Sequence, residues 1–141
     1  MSEPALLHVI AAFAAGLGAV CRYLLDGLIS AAVARRAGAD GALPWGTIAV
    51  NLSGSLLIGV VAGALVSAPI TAGSPAVDSW QLAASLGLLG GYTTFSTASH
   101  QTVRLLRERR WGAALSNGVA QLVLATVLVA LGWWIASAIG S

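Results

Sequence analysis

Gly90-Gly91-Tyr92-Thr93-Thr94-Phe95-Ser96-Thr97 lies inside an apolar segment long enough to cross a bilayer. A membrane helix must satisfy its own backbone, because the hydrocarbon core holds no water to do it. Two glycines followed by a run of hydroxyl residues make a poor continuous helix. The stretch therefore predicts a broken membrane helix. Such breaks are tolerated where the backbone faces protein or lines a cavity. Their freed carbonyls and helix ends carry partial charge and suit ion binding.

Outward from this stretch, the chain divides into four apolar spans, each near the ~20 residues a crossing needs. The first runs from about Ala5 to Ala34, and the second from Pro44 to about Ala68. Pro44 suits a helix start, where its missing N–H has no partner in any case. The third runs from about Ser79 to Arg107 and contains the break. The fourth runs from Trp111 to about Ala138. The segment from Ala68 to Ser79, with Pro69, Gly73, Ser74 and Pro75, reads as a loop. Trp45, Trp80, Trp111, Trp133 and Trp134 fall near span ends, where an amphipathic ring suits the headgroup layer.

Composition agrees. Of 141 residues, 57% are hydrophobic and only 9% charged, against roughly 25% charged in a soluble domain. The expectation is one integral membrane domain over residues 1–141, all-α. Residues 1–4 lack the basic start of a signal peptide. Cys21 is the only cysteine and reads as a small buried hydrophobe. The pI near 9.3 comes from seven Arg. Six of them, all but Arg22, cluster at span ends, as topology signals do, so no nucleic-acid partner is expected.

Arg35, Arg36, Arg107, Arg109 and Arg110 lie in the first and third loops, and Arg104 stands close by. The opposite face, with both termini and the loop around Asp78, carries no Arg or Lys. The positive-inside rule then places loops one and three in the cytoplasm and both termini outside the cell membrane. Gly59-x-x-x-Gly63 and Gly87-x-x-x-Gly91 let helices approach closely, within the chain or between subunits.

Polar residues within the spans are the candidate functional groups. Arg22 and Asp26 are four apart on one helix face and partly neutralise each other on this reading. Arg22 is either a structural clamp on backbone carbonyls or part of an electropositive vestibule. Asn51 in the second span, with Ser53 and Ser55 nearby, either bonds a neighbouring helix or donates to an anion. Asn117 and Gln121 form a second polar pair, on the fourth span. With Thr94, Ser96 and Thr97 these residues supply neutral donors on three helices. Dehydrating a small anion needs such donors, since fixed full charges would hold it too tightly. Phe95 is either packing or an aromatic edge facing an anion. His8 and His100 have no ligand set around them, and no base stands beside a nucleophile, so an enzyme is not expected.

Three motifs in order resemble the Fluc-type fluoride channel family, also called CrcB. They are Gly18-Ala19-Val20-Cys21-Arg22-Tyr23, the run Pro44-Trp45-Gly46-Thr47-Ile48-Ala49-Val50-Asn51-Leu52-Ser53-Gly54-Ser55, and Gly90 to Thr97. The resemblance covers essentially the whole chain. It implies a passive channel that exports fluoride, built as an antiparallel dimer with two pores. It implies a structural sodium ion at the dimer centre, held by the carbonyls of Gly90 and Thr93. It also implies a fluoride path past Asn51, Phe95, Ser96 and Thr97.

One departure stands out. The family commonly has a second Phe three residues after the first, where this chain has Ala98. Homodimers of the family insert in both orientations, which demands little Arg bias, whereas the bias here is strong. The two features together predict a heterodimer with a sister subunit of opposite topology, the homodimer being the alternative. A non-conducting partner subunit is a second reading. A proton-coupled exporter of the small multidrug type is a third, disfavoured because it needs a titratable carboxylate, Asp26 is neutralised by Arg22 on this reading, and no Glu lies within a span.

Overall fold

The computed structural model describes residues 2–37, 43–67 and 79–139. These form α1 (Glu3–Ala37), α2 (Trp45–Ser67), α3 (Ser79–Tyr92), α4 (Phe95–Arg107), α5 (Trp111–Leu115), a π-helical turn (Ser116–Ala120) and α6 (Gln121–Ile139). The described residues contain no strand. The expected loop at 68–78 lies outside them.

The all-α membrane fold is as expected. Helices over Glu3–Arg36, Trp45–Leu65 and Trp111–Ile139 are each long and apolar enough to cross a membrane. The third span is not among them because it is split. α3 has 14 residues and α4 has 13, so each reaches only about 20 Å at ~1.5 Å per residue. Together they reach about 40 Å, enough to cross a hydrocarbon core of about 30 Å. Large apolar side chains such as Phe13, Leu28 and Leu122 face outward, as a lipid-facing surface requires. The interior is mixed. Val50, Leu89, Leu105 and Ala114 are buried beside Thr47, Thr94, Asn117 and Gln121.

Small residues set the helix pairing. A methyl added at Gly87 or Gly91 would run into the backbone of Ala11 or Ala15, and one at Gly18 into Leu88 and Tyr92. Residue numbers rise together across this contact, so α1 and α3 run parallel. Gly59 and Gly63 lie against Val129 and Trp133 in the same way, which makes α2 and α6 parallel. Both small-residue pairs therefore serve packing within the chain. Gly46 meets Asp26, while Gly54 and Gly18 both meet Tyr92, so α1 and α2 run antiparallel and the spans alternate in direction.

Two sequence readings are sharpened and two need correction. First, the break falls inside the expected stretch, but after its glycines. The helix continues through Gly90 and Gly91 to Tyr92 and opens at Thr93 and Thr94, because Gly91 is held in the close contact with α1. Second, the fourth span contains the π-helical turn. Third, Cys21 is exposed on α1, since the outer face of a four-span unit needs no cover from protein. Fourth, Arg22 and Asp26 form no ion pair. The Asp26 carboxylate instead accepts from Ser30 Oγ and Thr47 Oγ1, both at 3.3 Å. It sits over Gly46 at the start of α2, where the positive end of the helix dipole favours an anion.

The end that carries the Arg residues closes with a Schellman turn. Arg110 N–H donates to Leu105 O at 2.9 Å and Arg109 N–H to Leu106 O at 3.0 Å. The left-handed position falls on Arg109, with φ of 58°. Glycine is the usual residue there.

Candidate functional site: the opened third span

The opening at Thr93–Thr94 is two residues long, and side chains replace the bonds it costs. Asn51 on α2 does most of this. Its Nδ2 donates to Thr94 O at 2.9 Å, and its Oδ1 accepts the Thr94 N–H at 2.8 Å. One amide thus satisfies both polar groups of one peptide residue, as buried backbone requires. Thr94 then caps α4. It is extended (φ −148°, ψ 120°), and its Oγ1 accepts the Thr97 N–H at 3.2 Å. The same hydroxyl donates to Thr97 Oγ1 at 3.0 Å and lies 3.4 Å from Ser96 Oγ. On the other side of the opening, Thr93 N–H and Oγ1 both donate to Leu89 O at 3.0 Å, closing α3. Tyr92 OH pairs with Ser53 Oγ at 2.8 Å.

These bonds have a consequence for two carbonyls. In a continuous helix Gly90 O would accept the Thr94 N–H, and Thr93 O the Thr97 N–H. Both donors are engaged elsewhere, by Asn51 and by Thr94 Oγ1. Gly90 O and Thr93 O therefore lack their helical donors. A methyl built on Gly90 meets nothing within 4 Å, so the surface there is open. One carbonyl in the last turn of α3 and one in the opening, both without their helical donors, are the ligand type that a hard cation takes. The donor chemistry at Gly90 and Thr93 thus fits the expected sodium ion.

After the opening the third span changes neighbours. α3 packs on α1, whereas α4 packs on α5 and the π-helical turn and touches α2. Polar bonds hold α4 on both sides. Gln101 Nε2 donates to Thr47 Oγ1 at 2.9 Å, which extends the chain that ends at Asp26. Asn117, almost fully buried, donates from Nδ2 to Ala98 O at 3.0 Å and to Thr102 Oγ1 at 2.7 Å. Asn117 in the π-helical turn and Gln121 just after it are four residues apart, and Gln121 is also buried. Asn117 Oδ1, Gln121 Oε1 and Gln101 Oε1 are buried with no protein partner.

A groove of about 490 Å³ runs between α2, the opening, α4 and the fourth span. Asn51, Thr93, Thr94, Phe95, Asn117 and Gln121 line it, and Ala98 forms part of the wall. Phe95 is 85% exposed, so its ring packs on little within the chain. Ser96 is exposed and Thr97 half-buried at the first turn of α4. Arg22 is half-buried on α1 and is not among the groove residues. The structure thus brings Asn51, Thr93, Thr94, Phe95, Asn117 and Gln121 together and leaves Arg22 apart.

Thr47, Ser99, Gln101 and Thr102 belong to the same polar system and were not singled out from sequence. Spacing offered a signal. Thr47 and Asn51 are four apart on α2, and Ala98 and Thr102 four apart on α4, so each pair shares a face.

Comparison with known proteins identifies the family. A family profile described as "CrcB-like protein, Camphor Resistance (CrcB)" matches residues 9–133. A Thermobifida fusca protein named fluoride-specific ion channel FluC 1 is 42% identical over 134 residues, covering 90% of this chain and 97% of its own length. The Leifsonia xyli protein of the same name is 38% identical over 130 residues, covering 92% and 86%. A Mycobacterium tuberculosis protein named fluoride-specific ion channel FluC 2 is 37% identical over 121 residues, covering 86% and 83%. With matches of this length along nearly the whole chain, the protein belongs to the CrcB-like family.

Proposed function

We propose that this chain is a subunit of a passive, fluoride-selective channel. One observation carries the reading: a groove of neutral hydrogen-bonding groups lies against a broken membrane helix, in a chain whose relatives bear the name of fluoride channels. A bare fluoride ion needs strong donors to replace its water. Ser96 and Thr97 offer hydroxyls beside the groove, Thr94 giving its own O–H to Thr97 Oγ1 while lining the path, and Asn51 retains one N–H beyond the one it gives to Thr94. Neutral donors bind the ion without trapping it. Phe95 presents a ring edge beside this set. Asn117 and Gln121 extend it along the fourth span, and Arg22 serves at a distance as structure or vestibule. Fluoride should pass and chloride should not, because closely set donors favour the smaller ion.

The working unit is an antiparallel dimer. One chain supplies two freed carbonyls, and a hard cation takes about six oxygens or more. A second subunit would complete the sodium site at Gly90 and Thr93 and cover the open groove. The Arg bias assigns this second subunit to a sister chain of opposite topology, in the cell inner membrane, with the termini of this chain outside. Ala98 supports the same pairing, since the groove wall has no ring there.

The test is fluoride efflux from liposomes holding this chain alone and holding it with its partner. Flux only with the partner is expected, and strong flux from the chain alone would refute the obligate heterodimer. A non-conducting role is the second reading, kept by Ala98. Replacing Asn51 or Phe95 in the complete channel separates the two, since unchanged flux would make this chain structural only. The exporter reading falls on family membership, not on pairing of Asp26 with Arg22, which the structure lacks.

A further inference from the structure

We propose that Asn51 and Thr94 are positioning residues for the cation. This inference rests on the channel reading above. Each side chain withholds one N–H from one carbonyl. Asn51 Oδ1 takes the Thr94 N–H that would close on Gly90 O, and Thr94 Oγ1 takes the Thr97 N–H that would close on Thr93 O. A membrane helix closes such bonds by default, because the hydrocarbon offers no other partner. The two side chains therefore hold the carbonyls in their cation-ready state before any ion arrives.

The arrangement also ties two ions to one amide. Asn51 guards a cation carbonyl through Oδ1 and lines the groove with its remaining N–H. It is bonded to Thr94 at both polar atoms, so it cannot turn toward an anion without loosening the opening. On this account Asn51 is a fixed donor rather than a swinging one, and loss of the amide disturbs the cation site together with the opening it braces.

The measurement is the thermal midpoint of the purified complex in sodium chloride against N-methylglucamine chloride, titrated with sodium. The unaltered protein should show a sodium-dependent rise. Asn51→Ala should abolish the rise or raise the sodium concentration needed for half of it by roughly tenfold, the scale of one competing hydrogen bond. Thr94→Val, which keeps shape and loses the hydroxyl, should do the same, and Thr94→Ser should restore the response. The Thr94 pair carries the test if Asn51→Ala does not yield a folded complex. No sodium response in the unaltered protein would overturn the cation reading and the inference with it. A normal response in Thr94→Val and in any folded Asn51→Ala would overturn the positioning role alone.

Discussion

Asn51 Oδ1 accepts the Thr94 N–H at 2.8 Å while its Nδ2 donates to Thr94 O at 2.9 Å. One side chain on α2 thus completes one residue of backbone in the third span. Removing it leaves two polar groups at a site where water does not compete. Asn51→Ala should cost about 2–6 kcal/mol, at about 1–3 kcal/mol for each of the two unsatisfied groups. Asn51→Asp should also destabilise, because it sets a carboxylate oxygen against Thr94 O. Denaturation in detergent measures both, and an unchanged midpoint would contradict the clamp.

Neighbouring glycines should behave in opposite ways. Gly91 lies against the backbone of Ala15, and Gly90 against open space. Gly91→Ala should push α1 and α3 apart, with an expected loss of about 1–3 kcal/mol for overpacking. Gly90→Ala should leave the isolated chain intact but obstruct assembly at the proposed dimer centre. Size-exclusion chromatography with thermal melting separates the two effects.

Asn117 ties the π-helical turn to α4 through Ala98 O and Thr102 Oγ1. Asn117→Ala should lose about 1–3 kcal/mol in total from these bonds. Flux should fall with it, since the residue also lines the groove. Asn117→Asp should be worse than Asn117→Ala in stability, because it places a carboxylate oxygen against Ala98 O.

Arg109 occupies a left-handed position with φ of 58°. Arg109→Gly should raise the melting midpoint by the equivalent of roughly 1 kcal/mol. Orientation should not change, since Arg35, Arg36, Arg107 and Arg110 remain at that end. Accessibility of terminal tags checks the orientation and calorimetry the stability.

Much of this was legible in the sequence. Apolar length gave the four spans, because a bilayer permits little else. The hydroxyl run and the glycines gave a break in the third. Sequence placed the break too broadly, because helix glycine signals both an opening and a close contact, and only the partner helix decides which. Gly91 meets Ala15 and stays helical, whereas Thr93 and Thr94 open because Asn51 is there to receive them. The partner of Asn51 lies 43 residues away and was open in the sequence for that reason. The Arg22–Asp26 pairing failed on a similar point. Helical spacing brings the two within reach, but the start of α2 and Thr47 offer Asp26 better donors. The π-helical turn left no mark in hydropathy, since one extra residue per turn barely alters the apolar pattern.

The central claim is selective, passive fluoride conduction, and ion efflux from liposomes tests it most directly. The protein is purified with whatever subunit it holds in its own membrane and reconstituted with fluoride or chloride inside. With potassium and valinomycin balancing charge, the account predicts rapid fluoride loss and retained chloride, without a proton gradient. Chloride leaving as fast as fluoride, or fluoride retained, would contradict it.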